Sequence, residues 1–199
     1  MELADVNRQE IKRYLGMMHG TEDTEEASVS SVIESCLEEL YEKVRPSHVF
    51  RTFPLMLKEE GEIDLTAFTI HSKNLSKNLS GCTEVILFAA TLGMEADLLI
   101  KRYEKIQMSR SVIMQAAGAA MIEAYCDEIN EGFRKAYLDK GARLHPRFSP
   151  GYGDLSLEVQ KLFLSVLEMD KRLGIRLTEG LLMVPTKSVT AVIGVEYEN

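Results

Sequence analysis

The stretch VILFAA, residues 85–90, is the segment from which the fold is assigned. It is a short, continuous apolar run with turn-forming residues on both sides. A strand buried on both faces has no side that must stay polar, so a run of this kind is typical of a strand inside a sheet. The sequence therefore predicts a buried central strand here, and the other segments are placed around it.

Two further strands are predicted ahead of this run, because the spacing of the apolar residues changes to two from His48 onward. The segments VFRTFPLML (49–57) and IDLTAFTI (63–70) carry β-branched and aromatic residues and are separated by the turn-forming residues EEGE. We expect these two strands to form a hairpin. Pro54 places the first strand at an edge of the sheet, because proline cannot donate a backbone hydrogen bond.

Apolar residues three and four positions apart predict two helices before these strands. Asp5 is expected to cap the first helix, and the residues on its apolar face are Ile11, Tyr14, Leu15 and Met18. After Gly20 the acidic stretch TEDTEE is expected to be a solvated link. The second helix contains the apolar residues from Val29 to Val44 and is stopped by Pro46, whose ring is incompatible with a helix interior.

Four helices are predicted around and after the central strand. A short one is capped by Ser72, another follows Gly93, a long one covers about residues 109–139, and a last one extends from Ser156 to Gly174. The chain therefore interleaves helices with strands along its whole length.

The long helix contains a patch of small residues within the sequence QAAGAAMIEAYCDEI (115–129). The alanine and glycine residues at 116–120 leave room for a neighbouring segment to pack closely against the helix. Glu123 lies one turn beyond this patch. Its carboxylate either reaches into a cleft beside the helix or stays in solvent, as most surface glutamates do.

The chain finishes with a predicted hairpin, in which the turn PTK joins LTEGLLMV (177–184) to SVTAVIGV (188–195). Hairpins at both ends favour an antiparallel or mixed sheet covered by helices over a regular βαβ repeat. The predicted fold class is therefore α+β. We expect one domain over residues 1–199, with an N-terminal helical segment (1–46) and a core of sheet and helices (47–199).

The composition describes an acidic protein with no sign of a membrane segment. The 199 residues carry a net charge of −8, and no cluster of lysine and arginine offers a surface for nucleic acid. Neither a signal peptide nor an apolar run of about 18 residues is found, which predicts a cytoplasmic protein. The cysteines are too far apart for a CxxC pair and are expected to be reduced core residues: Cys36, Cys82 and Cys126.

The sequence offers no familiar catalytic or metal motif. The scattered histidines lack metal-ligand spacing, so no metal site is expected: His19, His48, His71 and His145. GxSxG, Walker A and GxGxxG motifs are not found. Ser149 and Ser156 lie near His145, but a turn and a helix cap explain them better than a nucleophile does. No catalytic residue is therefore predicted.

The loop RFSPGYGD (147–154) is unusually constrained for a connection between two helices. Pro146 and Pro150 fix the backbone on either side of Arg147, and two glycines permit positive φ or close backbone approach. A guanidinium held in this way pairs with a carboxylate or phosphate, and Tyr152 adds a flat apolar face. The residues alone fit two interpretations equally: a site for a small carboxylate-bearing molecule, or a structural loop whose arginine pairs with an acidic side chain.

The sequence around this loop resembles a known family. The segments that carry the likeness are RFSPGYGDLSLEVQ (147–160), LFLSVLEMDKRLGI (162–175) and RLTEGLLMVPTKSVTAVIGV (176–195). In order and spacing they are similar to the C-terminal reactivation domain of cobalamin-dependent methionine synthase. The likeness reaches back through ATLGMEADLLIKRY (90–103) and the long helix, and the N-terminal part resembles free-standing members of the family.

The resemblance implies a twisted, mainly antiparallel sheet with helices around it. It also implies a function, which is to bind S-adenosylmethionine and present its methyl group to a cobalamin that has been oxidised to the inactive cob(II) state. Arg147 matches the family arginine that holds the methionine carboxylate, and Glu123 matches a glutamate that favours the sulfonium cation. The backbone at Phe148 and Gly151 approaches the ligand, with Tyr152 as its aromatic neighbour.

The resemblance implies partners as well. No cobalamin-binding DxHxxG sequence is found, so the cobalamin is expected on a corrinoid-binding methyltransferase subunit, with a flavodoxin-like protein as electron donor. The family's large enzyme contributes an acidic residue near the start of the domain, and this residue has no clear match here. Two alternatives stay open: a docking module for a corrinoid protein that does not use S-adenosylmethionine, and a methyltransferase that acts on another acceptor.

Overall fold

A four-stranded antiparallel sheet occupies the centre of the computed structural model, which describes residues 1–17, 23–66 and 68–198. The strands, in chain order, are β1 (Ser47–Pro54), β2 (Met56–Leu57), β3 (Glu62–Asp64), β4 (Thr69–His71), β5 (Glu84–Thr91), β6 (Ala142–Leu144), β7 (Arg176–Leu177), β8 (Met183–Val184) and β9 (Ser188–Tyr197). The helices are α1 (Arg8–Tyr14), α2 (Asp23–Lys43), α3 (Lys73–Asn78), α4 (Met94–Ile106), α5 (Met108–Leu138), α6 (Val159–Val166) and α7 (Met169–Arg172). The predictions for Met18, His19 and Gly20 fall outside the described residues. No helix within the described residues is both long and apolar enough to cross a membrane.

The predicted central strand is confirmed. The sheet order is β1-β5-β9-β6, so β5 has a neighbour on each side. It pairs with β1 from Ser47 opposite Thr91 to Pro54 opposite Glu84, and with β9 along its whole length. All of its residues from Val85 to Thr91 are buried. Because β1 is an outer strand, Pro54 lies at an edge of the sheet, as predicted.

Two hydrophobic cores lie on opposite faces of this sheet. Alternate residues of β5 contribute to the first core, together with α2, α4 and α5: Ile86, Phe88 and Ala90. The residues between them contribute to the second core, together with α3, α6 and α7: Val85, Leu87 and Ala89. Because both faces are covered, the positions from Val85 to Ala90 are all apolar, which explains the continuous run in the sequence.

The predicted close packing at the small-residue patch of α5 is confirmed. A Cβ atom on Gly118 would lie 3.1 Å from Cε of Lys187, so the lysine stem lies directly over this glycine. Nζ of Lys187 then donates to Oε1 of Gln115 at 2.8 Å. The patch therefore accommodates the segment that leads into β9.

The predicted hairpin of residues 49–57 with residues 63–70 is confirmed only next to its turn, where Met56 pairs with Asp64 and Leu57 with Ile63. The first segment divides at Leu55, so that β1 belongs to the central sheet and only β2 pairs with β3. The second segment is itself divided, because Oδ1 of Asp64 accepts a hydrogen bond from the backbone N–H of Thr66 at 2.8 Å. This bond closes a tight turn between β3 and β4, which pair with each other.

The predicted terminal hairpin is wrong. LTEGLLMV folds back on itself as β7 and β8, closed by a hydrogen bond of 2.9 Å from Thr178 N to Leu182 O. β9 pairs instead with β5 and with β6, a three-residue strand that the sequence patterns did not predict. The apolar run of β9 contributes to both cores, and a strand buried on both faces belongs inside a sheet rather than in a terminal hairpin.

Two predicted features of the N-terminal helices need correction. Asn7, and not Asp5, caps α1, because Oδ1 of Asn7 accepts hydrogen bonds from Gln9 N and Glu10 N at 3.0 and 3.2 Å. The second helix starts at Asp23, so most of the acidic stretch that was expected to be a link is helical.

The last predicted helix is in fact two helices. The first of them, α6, begins at Val159 rather than at Ser156, and the chain breaks at Glu168, whose φ is 52°. Leu167 and Met169 on either side of the break are fully buried in the same core. Residues two positions apart on a continuous helix would point to nearly opposite sides, so the break is what lets both face inward.

Two smaller predictions are confirmed. The Ser72 hydroxyl caps α3 by accepting a hydrogen bond from Leu75 N at 2.9 Å. All three cysteines are free and buried.

Gly194 on β9 is the point where the sheet approaches the segment around α3 most closely. A Cβ atom at this position would lie 2.5 Å from Sγ of Cys82 and 2.8 Å from Cδ2 of Leu79. Both of these side chains are buried, so neither has room to move away. The absence of a side chain at Gly194 therefore allows the end of α3 to pack this close to the sheet.

We expect Gly194→Ala to destabilise the protein by about 1–3 kcal/mol, the usual cost of overpacking a core. The matched control is Gly132→Ala in α5, where a Cβ atom would meet nothing within 4 Å. Because alanine is favoured over glycine in helices by about 1 kcal/mol, the control is expected to be neutral or stabilising. Urea denaturation measures both free energies of unfolding. A Gly194→Ala protein as stable as wild type would contradict the packing described.

Candidate functional site

The loop RFSPGYGD is fastened to α3 at both of its ends. At its far end, Oδ2 of Asp154 accepts from Lys73 N at 2.8 Å and Oδ1 accepts from Asn74 N at 3.1 Å and from the Ser72 hydroxyl. Just before its near end, Nδ1 of His145 lies 2.6 Å from the carbonyl oxygen of Asn78. The short helix therefore spans the loop and holds residues 145 and 154 at a fixed separation.

The hydrogen bonds that Asp154 accepts from α3 and from Ser72 are electrostatically favourable. Hydrogen bonds from the Ser72 hydroxyl and from the backbone of Asn74 and Lys73 hold the pKa of the Asp154 carboxyl below its ordinary value. The carboxylate lies at the N-terminal end of α3, where otherwise unpaired N–H groups favour negative charge. Asp154 is therefore ionised at neutral pH and acts as a cap supplied from outside the helix.

The interior of the loop is also held by backbone contacts. Phe148 exchanges two hydrogen bonds with Val192 of β9, at 2.9 and 2.8 Å, so the start of the loop continues the sheet. Gly151 donates its N–H to Leu155 O at 2.8 Å. Gly153 has a φ of 54°, and a Cβ atom there would lie 2.4 Å from Nδ2 of Asn74. The glycines therefore serve the two purposes predicted from sequence, positive φ and close approach.

Arg147 points to α5, where it meets two carboxylates. Its Nη2 donates to Oδ1 of Asp127 at 2.8 Å and to Oε2 of Glu123 at 3.2 Å. The arginine side chain is 21 % exposed, whereas Glu123 and Asp127 are 47 % and 71 % exposed. Its second terminal nitrogen, Nη1, is buried and has no hydrogen-bond partner among the described residues. The structure thus brings together Arg147 and Glu123, the two charged residues predicted from sequence.

The two aromatic residues of the loop lie on its other side. Phe148 packs against the second core, and with Tyr152 it lines a shallow cleft of about 450 Å³. The remaining residues of this cleft are Asn74, Lys77, Asn78 and Gly153. Tyr152 is 71 % exposed. The predicted site residues therefore divide into a charged group on α5 and an aromatic group beside α3, with the loop backbone between them.

Sequence reasoning missed several residues that build this region. Asp127 follows Glu123 by one helical turn, and that spacing alone could have indicated a shared face. Residues 72–79 read SKNLSKNL, a repeat of four that puts the lysines in one row of α3 and the asparagines in the next. Asp154 gave no local signal, because its partners lie about 80 positions earlier in the chain.

Comparison with known families decides the identity of the fold. The family model for the vitamin B12 dependent methionine synthase activation domain matches residues 39–198. The chain belongs to this family. A comparison with curated protein sequences gives no significant match.

Solved structures agree with this assignment at the level of the fold. A crystal structure of the MetH reactivation domain bound to AdoHcy superimposes with a TM-score of 0.77 at 17 % sequence identity, over 99 % of this chain and 76 % of that one. The α+β fold with an antiparallel sheet, expected from the sequence, is therefore that of an activation domain. The family match includes the whole of the loop, α3, α5 and the central sheet.

Asp154→Ala is expected to release the loop of this activation domain from α3, because two backbone amides and a hydroxyl lose their acceptor. Hydrogen exchange should accelerate at Lys73 and Asn74 and in the loop at Gly153. Asp170→Ala, in the first turn of α7, is the control and should leave these amides unchanged. In wild type the cap holds while the carboxyl is ionised and is lost as the pH falls below its lowered pKa, so the same amides should lose protection in acid. Unchanged exchange in Asp154→Ala would contradict the proposed cap.

Proposed function

We propose that this activation domain binds S-adenosylmethionine across the loop, with the charged amino-acid end of the ligand on the α5 side, and supports reductive methylation of a cobalamin carried by a partner methyltransferase, with methionine synthase as the expected partner. The observation that carries the proposal is the Arg147 guanidinium, held between two carboxylates on a loop that is fastened at both ends. The family of the chain, and the AdoHcy bound to the MetH reactivation domain, support the class of ligand.

Arg147 is suited to take the carboxylate of the ligand. A guanidinium forms short, charge-assisted hydrogen bonds with carboxylates, and its position here is fixed by the loop. The carboxylate that now pairs with it most closely belongs to Asp127, which is largely exposed. Exposed ion pairs contribute only about 0–1 kcal/mol, so a ligand carboxylate can replace Asp127 at little cost.

The charge of the site complements that of S-adenosylmethionine. One guanidinium and two carboxylates give a local charge of −1, whereas the ligand carries a carboxylate, an ammonium and a sulfonium and is therefore a cation. Glu123 and Asp127 lie one turn apart on α5 and can both face the cationic part of the ligand. Asp127 thus supplies a second acidic group in a chain where the family's acidic residue near the start of the domain has no clear match.

The contacts predicted between the ligand and the backbone at Phe148 and Gly151 do not include hydrogen bonds from their N–H groups. The N–H groups of Phe148 and Gly151 are already used, by Val192 O and Leu155 O. A ligand therefore meets the Phe148 ring and the bare surface of Gly151 rather than their amide donors. Tyr152, with its exposed ring, offers a flat surface at the edge of the same loop.

The chain's contribution to the reaction is placement. One electron from a donor, for which a flavodoxin-like protein is our proposal, would reduce the partner's cob(II)alamin to a cob(I) nucleophile. The methyl carbon of S-adenosylmethionine would then bond to cobalt as its bond to sulfur breaks, and S-adenosylhomocysteine would leave. Arg147 and the two carboxylates of α5 hold the amino-acid part of the ligand, and the constrained loop sets its direction. Holding two reactants in line lowers the barrier without any acid or base from the protein. This explains a site with charged binding groups and no catalytic pair.

Isothermal titration with S-adenosylmethionine tests the proposal. Arg147→Ala is expected to weaken binding by roughly 10- to 100-fold, the loss of one charge-assisted pair with the ligand. The matched control is Arg134→Ala, further along α5, whose side chain is 58 % exposed and pairs with Glu131 at 3.7 Å. This control should bind as wild type does. Equal affinities of Arg147→Ala and wild type would overturn the assignment of the site.

A second measurement separates the proposed function from a docking module. Wild type is mixed with the corrinoid protein, a reductant and methyl-labelled S-adenosylmethionine, and the label is followed. Label in the corrinoid supports the proposal. Complex formation with the corrinoid protein but no transfer, together with no binding of S-adenosylmethionine, would assign the chain to docking instead. Transfer to another acceptor without any corrinoid would make it a methyltransferase of a different kind.

A further inference from the structure

Both ring nitrogens of His145 lie within hydrogen-bond distance of an oxygen atom. Its Nδ1 lies 2.6 Å from the carbonyl oxygen of Asn78, and its Nε2 lies 2.7 Å from Oε2 of Glu196. A carbonyl oxygen can only accept, and so can an ionised carboxylate. The Arg143 guanidinium and His145 lower the pKa of Glu196 to about 2, so this group is ionised at neutral pH. Both oxygens therefore receive a hydrogen bond only when both ring nitrogens carry a proton.

The groups that face this ring come from β9, from β6 and from α3 with the connection after it. Glu196 of β9 faces it and is itself bound to Nε and Nη2 of Arg143 on β6, both at 2.9 Å. The α3 side contributes the carbonyl of Asn78 at the C-terminal end of the helix, where partial negative charge favours a cation. Sγ of Cys82 and Cβ of His145 both lie close to Gly194, and burial raises the pKa of the Cys82 thiol to about 11, which keeps it neutral. The His145 and Glu196 side chains are only 19 % and 23 % exposed.

Loss of the proton would break one of the two bonds. A neutral imidazole has one N–H and one bare nitrogen, and the bare nitrogen would face an oxygen that also only accepts. Either the bond to α3 or the bond to β9 is then replaced by repulsion between lone pairs. Arg147 follows His145 by two positions, and Pro146 between them has a fixed φ. A shift of His145 is therefore transmitted to the arginine through a stiff connection.

We propose that His145 is the positioning residue of the loop, whose protonated ring ties the loop to α3 and to β9 and so places Arg147 for the ligand. The tie is complete when both ring nitrogens carry a proton, and a neutral ring keeps only one of its two bonds. The identity of the ligand rests on the proposed function, whereas the tie itself does not.

The tie is tested first without any ligand, by NMR titration of the free chain between about pH 5.5 and 8.5, the range in which imidazoles titrate. The amide signals of Arg147, Phe148 and Gly151 should shift with the same midpoint as the His145 ring proton. His145→Gln should abolish this shift, and the matched control His71→Gln, at an exposed position of β4, should preserve it. Loop signals that do not follow the His145 midpoint in wild type, or that keep their titration in His145→Gln, would overturn the proposal.

The effect on binding is tested with S-adenosylmethionine at pH 6 and pH 8. Between pH 6 and pH 8 the affinity of wild type is expected to fall by about 3- to 10-fold more than that of His145→Gln. This additional loss is the expected effect of losing one hydrogen bond. The ligand's own amino group titrates near this range, but it contributes equally to both proteins. In Glu196→Gln the amide can donate to a neutral ring, so the tie survives and the additional pH dependence should disappear. Equal pH dependence in all three proteins would contradict the role of His145.

These two experiments separate the two proposals. If the loop titrates with His145 but S-adenosylmethionine does not bind, the positioning role stands and the ligand assignment fails. If the ligand binds through Arg147 without any link to His145, the proposed function stands and the positioning role fails.

Discussion

The attachment of one loop to both ends of a helix of six residues is the constraint on which the site depends. Asp154 binds the N-terminal end of α3 and His145 binds its C-terminal end, so the helix works as a spacer of fixed length. The spacer is in turn fixed to the sheet, because Leu75 and Leu79 are fully buried beneath it. Gly194 permits this close approach. Arg147 therefore has a defined position before any ligand arrives, and a binding site formed in this way loses little entropy on association.

The central sheet places the two halves of the site on opposite sides of that loop. Phe148 continues the sheet by pairing with Val192, and neighbouring residues of an extended segment point to opposite faces. Arg147 is consequently directed to α5 and its carboxylates, while Phe148 faces the second core. A single extended residue pair thus separates a charged surface from an aromatic one. The arrangement suits a ligand with a charged amino-acid end and a flat aromatic end.

Sequence patterns predicted the parts of the structure that local chemistry determines. The central strand followed from one apolar run. Arg147 followed from the constrained loop and Glu123 from its place beside the small-residue patch, and the family resemblance implied a role for both. The strand partners were not predictable in the same way, because alternation along a strand does not specify its neighbour. The pattern of apolar residues continues past Pro54 and past Asp64, but strands β1 and β3 end at these two residues. The contacts of His145 and Asp154 with α3 join residues 67 to 82 positions apart, which no local pattern encodes.

We propose that the loop is a preformed site for S-adenosylmethionine. A crystal structure of the chain with this ligand tests it most directly. We expect the carboxylate of the ligand to bind the Arg147 guanidinium, and the cationic part of the ligand to face Glu123 and Asp127. The loop should stay bound to α3 through His145 and Asp154. A ligand bound away from Arg147, or a loop that leaves α3 to bind it, would contradict the account.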